Sequence, residues 1–209
     1  MQTLSKKILE SARNSGEGEI YTAREFLHLG KRAAVDQALS RLTKEGECLR
    51  IGRGRYVLPV RTRFGTRAPS AHRVVEAFAE ASGETVAPSG AAAANQLGLT
   101  TQVPIRHVSL TSGKSRRFYL GKQVVELKHA PAWQLRQPNE KAGHAIRALA
   151  WIGHANASEA VRQIRSTMSA REQAELLASR GSAIPTWLAE AISGPIADSS
   201  LEAAPTSGA

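Results

Sequence analysis

The chain has 209 residues, 42% of them hydrophobic, with 28 Lys and Arg against 18 Asp and Glu. That length accommodates one large domain or two small ones, and that apolar content excludes wholesale disorder. The formal net charge of +10 favours an anionic partner, and a single cysteine, Cys48, excludes an intrachain disulfide and any cysteine-rich zinc site.

Leu4, Ile8, Leu9 and Ala12 recur at helical spacing from Thr3 to about Ser15, and Gly16 and Gly18 stop that helix. Glu19-Ile20-Tyr21 predicts a short strand. Thr22 with Glu25 three residues later forms a capping box that opens a helix from Ala23 to Leu29, with Phe26 and Leu27 as buried candidates and Gly30 as its end. A longer helix is expected from Arg32 to Glu45, carrying Val35, Ala38, Leu39 and Leu42 as its apolar stripe, with Gly46 closing it. Cys48 to Ile51 and Tyr56 to Leu58 are β-prone runs on either side of Gly52-Arg53-Gly54-Arg55, which reads as a hairpin. Helix, short strand, helix, glycine turn, helix and hairpin is the order of a winged helix-turn-helix, expected over residues 1–60.

Arg61 to Pro69 reads as a basic linker and the domain boundary. Beyond it, Ala71 to Ala81 predicts a helix with Val74, Val75 and Phe78 inward. Glu84 to Ala87 predicts a strand, and Ser89 to Leu97 an alanine-rich helix ended by Gly98. Ile105 to Thr111, Arg116 to Leu120 and Gln123 to His129 predict three more strands, turned at Ser112-Gly113 and Leu120-Gly121. From Pro138 the pattern is helical: Asn139 to Gly153, a helix opened by Ser158 and running to Arg165, one capped by Ser169 with Glu172, and one from Pro185 to Ile192. Residues 194–209 are rich in Ala, Ser, Pro and Gly and are expected to be disordered. The expected fold class is mixed α/β (α+β): the winged helix-turn-helix, then a small α/β C-terminal domain over residues 70–193 that ends in helices.

The charge is localised. Residues 1–70 hold 14 Lys and Arg against 7 Asp and Glu, and Lys31 to Arg67 alone hold ten against three. A local excess of this kind suits a phosphate-binding face. On the third helix the outward positions are Arg32, Ala33, Asp36, Gln37, Ser40, Arg41 and Lys44, preceded by Lys31. Arg bonds guanine bidentately, Gln bonds adenine, and Ser or Lys holds phosphate, so this face has the groups that groove reading needs. Arg53 and Arg55 stand on the hairpin turn and Arg61 and Arg63 on the linker, where they would add phosphate or minor-groove contacts. Lys114, Arg116, Arg117 and Lys122 form a second basic cluster, readable as a further nucleic-acid surface or as a solvated hairpin.

No enzyme chemistry assembles from the sequence, and no catalytic residue, metal or cofactor is expected. The six histidines (His28, His72, His107, His129, His144 and His154) are scattered, with no zinc-site spacing. There is no Walker loop and no Gly-x-Ser-x-Gly, and Gly52-Arg53-Gly54 lacks the third glycine and the helix of a dinucleotide fingerprint. Residues 71–209 contain one Asp, Asp198, whereas magnesium-dependent nuclease or nucleotidyltransferase chemistry needs clustered carboxylates. Cys48 reads as a core residue. The N-terminus has no apolar signal core and no run reaches membrane-helix length, so the expected location is the cytoplasm.

Leu29-Gly30-Lys31-Arg32-Ala33-Ala34-Val35-Asp36-Gln37-Ala38-Leu39-Ser40-Arg41-Leu42, then Glu45-Gly46 and the run from Leu49 to Tyr56 with Leu58-Pro59, resembles the winged-helix start of AbiEi-type antitoxins. The most specific part is the hairpin pattern Arg53-Gly54-x-Tyr56-x-x-Pro59. Ser89-Gly90 with Ala92-Ala93, Leu97-Gly98-Leu99 and Gln102-Val103-Pro104 is similar to the opening of the second domain of such proteins. The resemblance covers residues 3–130, and the helical last third departs from it. It implies an antitoxin of a type IV toxin–antitoxin pair, whose winged helix binds inverted repeats in the pair's own promoter and represses it. It further implies a C-terminal domain needed to counteract a nucleotidyltransferase-like toxin. Two other readings of the residues stay open: a stand-alone winged-helix transcriptional regulator, and a protein- or RNA-interaction module with no toxin partner.

Overall fold

The computed structural model describes residues 3–102, 105–181 and 183–194. In chain order the elements are α1 (Leu4–Arg13), a 3-10 turn (Ala23–Phe26), α2 (Arg32–Lys44), β1 (Leu49–Gly52), β2 (Arg55–Val57), β3 (Val60–Thr62), β4 (Gly65–Arg67), α3 (Ala71–Ser82), β5 (Val86–Pro88) and α4 (Gly90–Gln96). There follow β6 (His107–Thr111), β7 (Arg116–Leu120), β8 (Gln123–His129), α5 (Ala132–Leu135), α6 (Lys141–Ile152), α7 (Ala157–Ser166), α8 (Ala170–Ala178) and α9 (Thr186–Ser193). The architecture is mixed α/β. Among the described residues no helix is long and apolar enough to cross a membrane. The tail expected over residues 194–209 falls outside the described residues beyond Gly194.

The chain divides into two compact units, and not at 61–69. One comprises Met1–Ser89 with Val103–Pro138, the other Gly90–Gln102 with Asn139–Ala209. In the first unit, α1, the 3-10 turn and α2 enclose a core of Ile8, Ala12, Tyr21, Phe26, Val35, Leu39, Leu42, Cys48 and Tyr56. The 3-10 turn replaces the α-helix expected over Ala23 to Leu29. Backbone bonds run Glu25 to Thr22, Leu27 to Arg24 and Leu29 to Phe26, each spanning three residues. The tighter winding buries Phe26 and leaves Leu27, an expected core residue, 43% exposed. The Thr22–Glu25 box is formed, with the Glu25 carboxylate accepting from the Thr22 N–H at 3.1 Å. In place of the strand at Glu19 to Tyr21 there is a single bridge, Tyr21 paired with Tyr56 through bonds of 2.8 and 2.9 Å.

The β1–β2 hairpin is shared between two cores. Tyr56 joins the helical core, while Ile51 and Val57 join a second core with Val74, Val75, Phe78, Phe118, Leu120, Val125 and Leu127. Alternate strand residues point to opposite faces, so a hairpin this short can serve both. The second core lies on the four-stranded sheet β5-β6-β8-β7, in which β6 and β8 are parallel and the other pairs antiparallel. Residues 61–69 are not a linker. They hold most of a second antiparallel hairpin, β3–β4, with Arg61 opposite Thr66 and Thr62 opposite Gly65.

Gly18 fixes the turn after α1. Its φ is +88°, and a Cβ there would sit 2.7 Å from the backbone carbonyl carbon of Arg73 and 2.9 Å from the amide nitrogen of Val74. Neither atom can yield without unwinding α3. Gly18→Ala is therefore expected to cost at least about 1 kcal/mol of stability. A thermal-melt midpoint equal to that of the wild type would show that the turn reshapes freely.

In the second unit α4 packs on α6 through Ala93, Ala94 and Ala148. Small residues let the two helices approach closely: a Cβ on Gly90 would meet the Arg147 carbonyl oxygen at 2.6 Å. Ser158 does not cap α7. Gly153, at φ +85°, ends α6, and a 3-10 turn over His154–Asn156 leads straight into a helix that starts at Ala157. The Ser169–Glu172 capping box of α8 is present, with the Ser169 N–H donating to Glu172 at 2.7 Å.

Candidate nucleic-acid interface

Helix α2 owes its orientation to Val35, Ala38, Leu39 and Leu42, all buried. At roughly 100° per residue, Ala33, Gln37, Ser40, Arg41 and Lys44 fall on the opposite side of the cylinder, and all five are exposed. Lys31, the N-cap residue, is exposed at the start of the helix. Arg32 and Asp36 lie off this strip on one flank, where Arg32 Nε contacts Asp36 Oδ2 at 3.0 Å. The bond turns Arg32 along the helix and lowers the charge of that flank. Lys31, Arg41 and Lys44 make no ion pair among the described residues. The strip therefore presents one amide, one hydroxyl and two uncompensated cations.

The β1–β2 hairpin closes on Gly52 and Arg55, which pair across the turn. Gly54 adopts φ +66°, the left-handed conformation that glycine takes without strain, and Arg53 beside it is exposed. Because Ile51 and Val57 are buried, the base of this hairpin is fixed and its tip alone projects. Arg55 is half-buried, its guanidinium 5.9 Å from the centre of the Phe78 ring. Arg116 lies 4.7 Å from the same ring centre. Phe78 thus brings the hairpin and the second basic cluster together, a juxtaposition invisible in the spacing of the two sequence segments.

That second cluster is partly compensated. Arg116 pairs with Glu84 at 2.9 Å, and Glu84 also accepts from Thr111 Oγ1 at 2.7 Å. Arg117 pairs with Glu126 at 3.1 Å. Lys114 and Lys122 are exposed on the turns flanking β7 and form no ion pair among the described residues.

In the β3–β4 hairpin, Arg61 contacts Glu47 at 2.5 and 2.6 Å, and Glu47 is also reached by Arg13 at 3.4 Å. Arg61 is thereby an anchor more than a free contact. Arg67 pairs with Glu17 at 3.0 Å, and the Ser70 N–H donates to the same carboxylate at 2.8 Å. Those two bonds hold the Glu17 carboxyl below the ordinary carboxylate range. Arg63 is exposed and stacks on its neighbour Phe64, 4.6 Å from the ring centre. Phe64 is 86% exposed and had no place in the sequence reading.

Cys48 is buried beneath α2, and burial pushes its thiol up to about 11. A desolvated, protonated thiol is the opposite of an activated nucleophile. Among the described residues no group of three or more His, Cys, Asp or Glu side chains could hold a metal ion.

Fold and surface together define a mixed α/β protein with a basic helix-and-hairpin face. The chain belongs to the family described as a family of unknown function (DUF6088), whose profile matches residues 7–177. The match begins inside α1 and ends inside α8, so it takes in residues of both units. No curated protein and no solved structure matches the chain.

Proposed function

We propose that residues 3–60 act as a winged helix-turn-helix that binds double-stranded DNA. The observation that carries the reading is the strip of Gln37, Ser40, Arg41 and Lys44 on α2. It stands opposite the core stripe, exposed, with both cations lacking an ion pair among the described residues. An exposed helix with this chemistry suits the major groove. The projecting Arg53 on a glycine turn suits phosphate or the minor groove beside it.

The regulator is proposed to be an autorepressing antitoxin of the AbiEi type, acting on its own promoter against a nucleotidyltransferase-like toxin. Support for this finer reading comes from the similarity over Leu29 to Pro59. A competitor-resistant gel shift on the duplex upstream of its own gene tests the DNA-binding reading. Growth rescue on co-expression with a nucleotidyltransferase-like neighbour tests the antitoxin reading. A shift lost to unrelated duplex would remove sequence specificity, and failure of rescue would leave a stand-alone regulator.

Arg53→Ala is expected to flatten the dependence of log K on log salt by about one unit, because one phosphate contact and its counterion release are lost. An unchanged slope would take the β1–β2 tip off the DNA.

A further inference from the structure

The β3–β4 hairpin is a second projecting ribbon with an unusual tip. Phe64 is the second most exposed of the large apolar side chains among the described residues, at 86%. A lone exposed apolar residue needs no explanation, but this one is held in place. The Phe64 N–H donates to Thr62 Oγ1 at 3.2 Å, and that hydroxyl donates to the Gly65 carbonyl at 2.9 Å. Gly65 takes φ +119° to close the turn. Each strand is tied to the body of the unit by one ion pair, Arg61–Glu47 from β3 and Arg67–Glu17 from β4. The ring therefore sits at the end of a braced arm.

The charge around the ring selects its partner. Residues 60–70 contain Arg61, Arg63 and Arg67 and no acidic residue. Arg61 and Arg67 are spent on Glu47 and Glu17, which leaves the Arg63 guanidinium beside the ring as the cation at the tip. An apolar protein partner gains nothing from the Arg63 cation beside the ring, whereas a polyanion does. An aromatic ring next to a guanidinium, on an arm narrow enough to enter a groove, has the parts of an apolar wedge for a base step.

We propose that the β3–β4 hairpin is a DNA-contacting arm in which Phe64 inserts against a base step from the minor groove while Arg63 holds the adjoining phosphate. This rests on the DNA-binding reading and extends it to a position where neither α2 nor the β1–β2 tip supplies an apolar group. The ring would displace one face of a stacked pair, so thymines at that step would lose their stacking neighbour.

The test uses the full chain on the duplex upstream of its own gene, read by gel shift and by permanganate oxidation of unstacked thymines. Wild-type protein is expected to shift the duplex and to create a permanganate-reactive thymine. Phe64→Ala is expected to abolish that reactivity and to weaken binding about tenfold, as loss of one base–aromatic contact does. Phe64→Leu, which keeps an apolar wedge, is expected to retain part of the reactivity. Since Phe64 touches no core residue cluster, both variants should keep the wild-type circular dichroism. A wild-type shift without any reactive thymine, or equal affinity and reactivity in Phe64→Ala, would overturn the wedge and leave DNA binding standing. Absence of a wild-type shift would overturn both.

Discussion

Arg41→Ala is expected to weaken binding to the protein's own upstream duplex by roughly 1–3 kcal/mol, with little change in stability. Arg41 stands on the exposed strip of α2 one turn beyond Gln37, at the edge of that strip in the helical projection, and makes no ion pair among the described residues. A bidentate contact to guanine is the largest single term such a helix can supply. Arg32 is held at 3.0 Å by Asp36, so Arg32→Ala should cost less, since the arginine must give up that bond before it can reach a base. Lys44→Ala should weaken specific and unrelated duplexes alike, as loss of a phosphate contact does. The ranking is checked by parallel titrations on specific and unrelated duplex at one salt concentration. Equal affinity of Arg41→Ala and wild type for the specific duplex would remove this face of α2 from the groove.

The parts of the chain that were legible in the sequence are those held by local patterns. The stripe Val35, Ala38, Leu39 and Leu42 gave α2 to within a residue at each end, and the turns at Ser112-Gly113 and Leu120-Gly121 marked off β7 and β8 with their observed bounds. The hairpin at residues 49–57 was readable because glycine marks its turn. Residues 61–69 were not, because Arg61-Thr62-Arg63-Phe64 offers no apolar alternation. What pairs those strands is reinforced from outside the segment, by Glu47 at a separation of 14 residues and Glu17 at a separation of 50. The same distance effect hid the true state of several cations. Nothing local to Arg116 announces Glu84, which is 32 residues away and pairs with it. The division into units was obscured because the chain leaves the first unit at Gly90 and returns at Val103, a path that no composition shift marks. Phe64 was passed over since a single aromatic residue in a basic stretch looks like part of a linker until the turn that displays it is seen.

Phe118→Ala is expected to destabilise the first unit by about 3–5 kcal/mol, the usual cost of emptying a phenylalanine site in a core. Phe118 is 2% exposed, and its ring stacks at a tilt against Phe78, with 5.1 Å between centres. The same core takes Ile51 and Val57 from the β1–β2 hairpin, each with no exposed surface. The loss should therefore reach the proposed DNA face, although Phe118 is remote in sequence from every residue placed there. The urea midpoint should fall while the slope of the transition keeps its wild-type value. Near the new midpoint DNA affinity should fall together with the folded fraction. A fragment ending at residue 60 makes the sharper comparison, because it removes α3, β7 and β8 and would leave Ile51 and Val57 facing water. That fragment is expected to lack a cooperative transition. A cooperative fragment, or a Phe118→Ala cost below about 1 kcal/mol, would mean that the helices and hairpin of residues 3–60 form a self-sufficient module. The boundary read from composition at 61–69 would then describe folding better than the packing of the hairpin does.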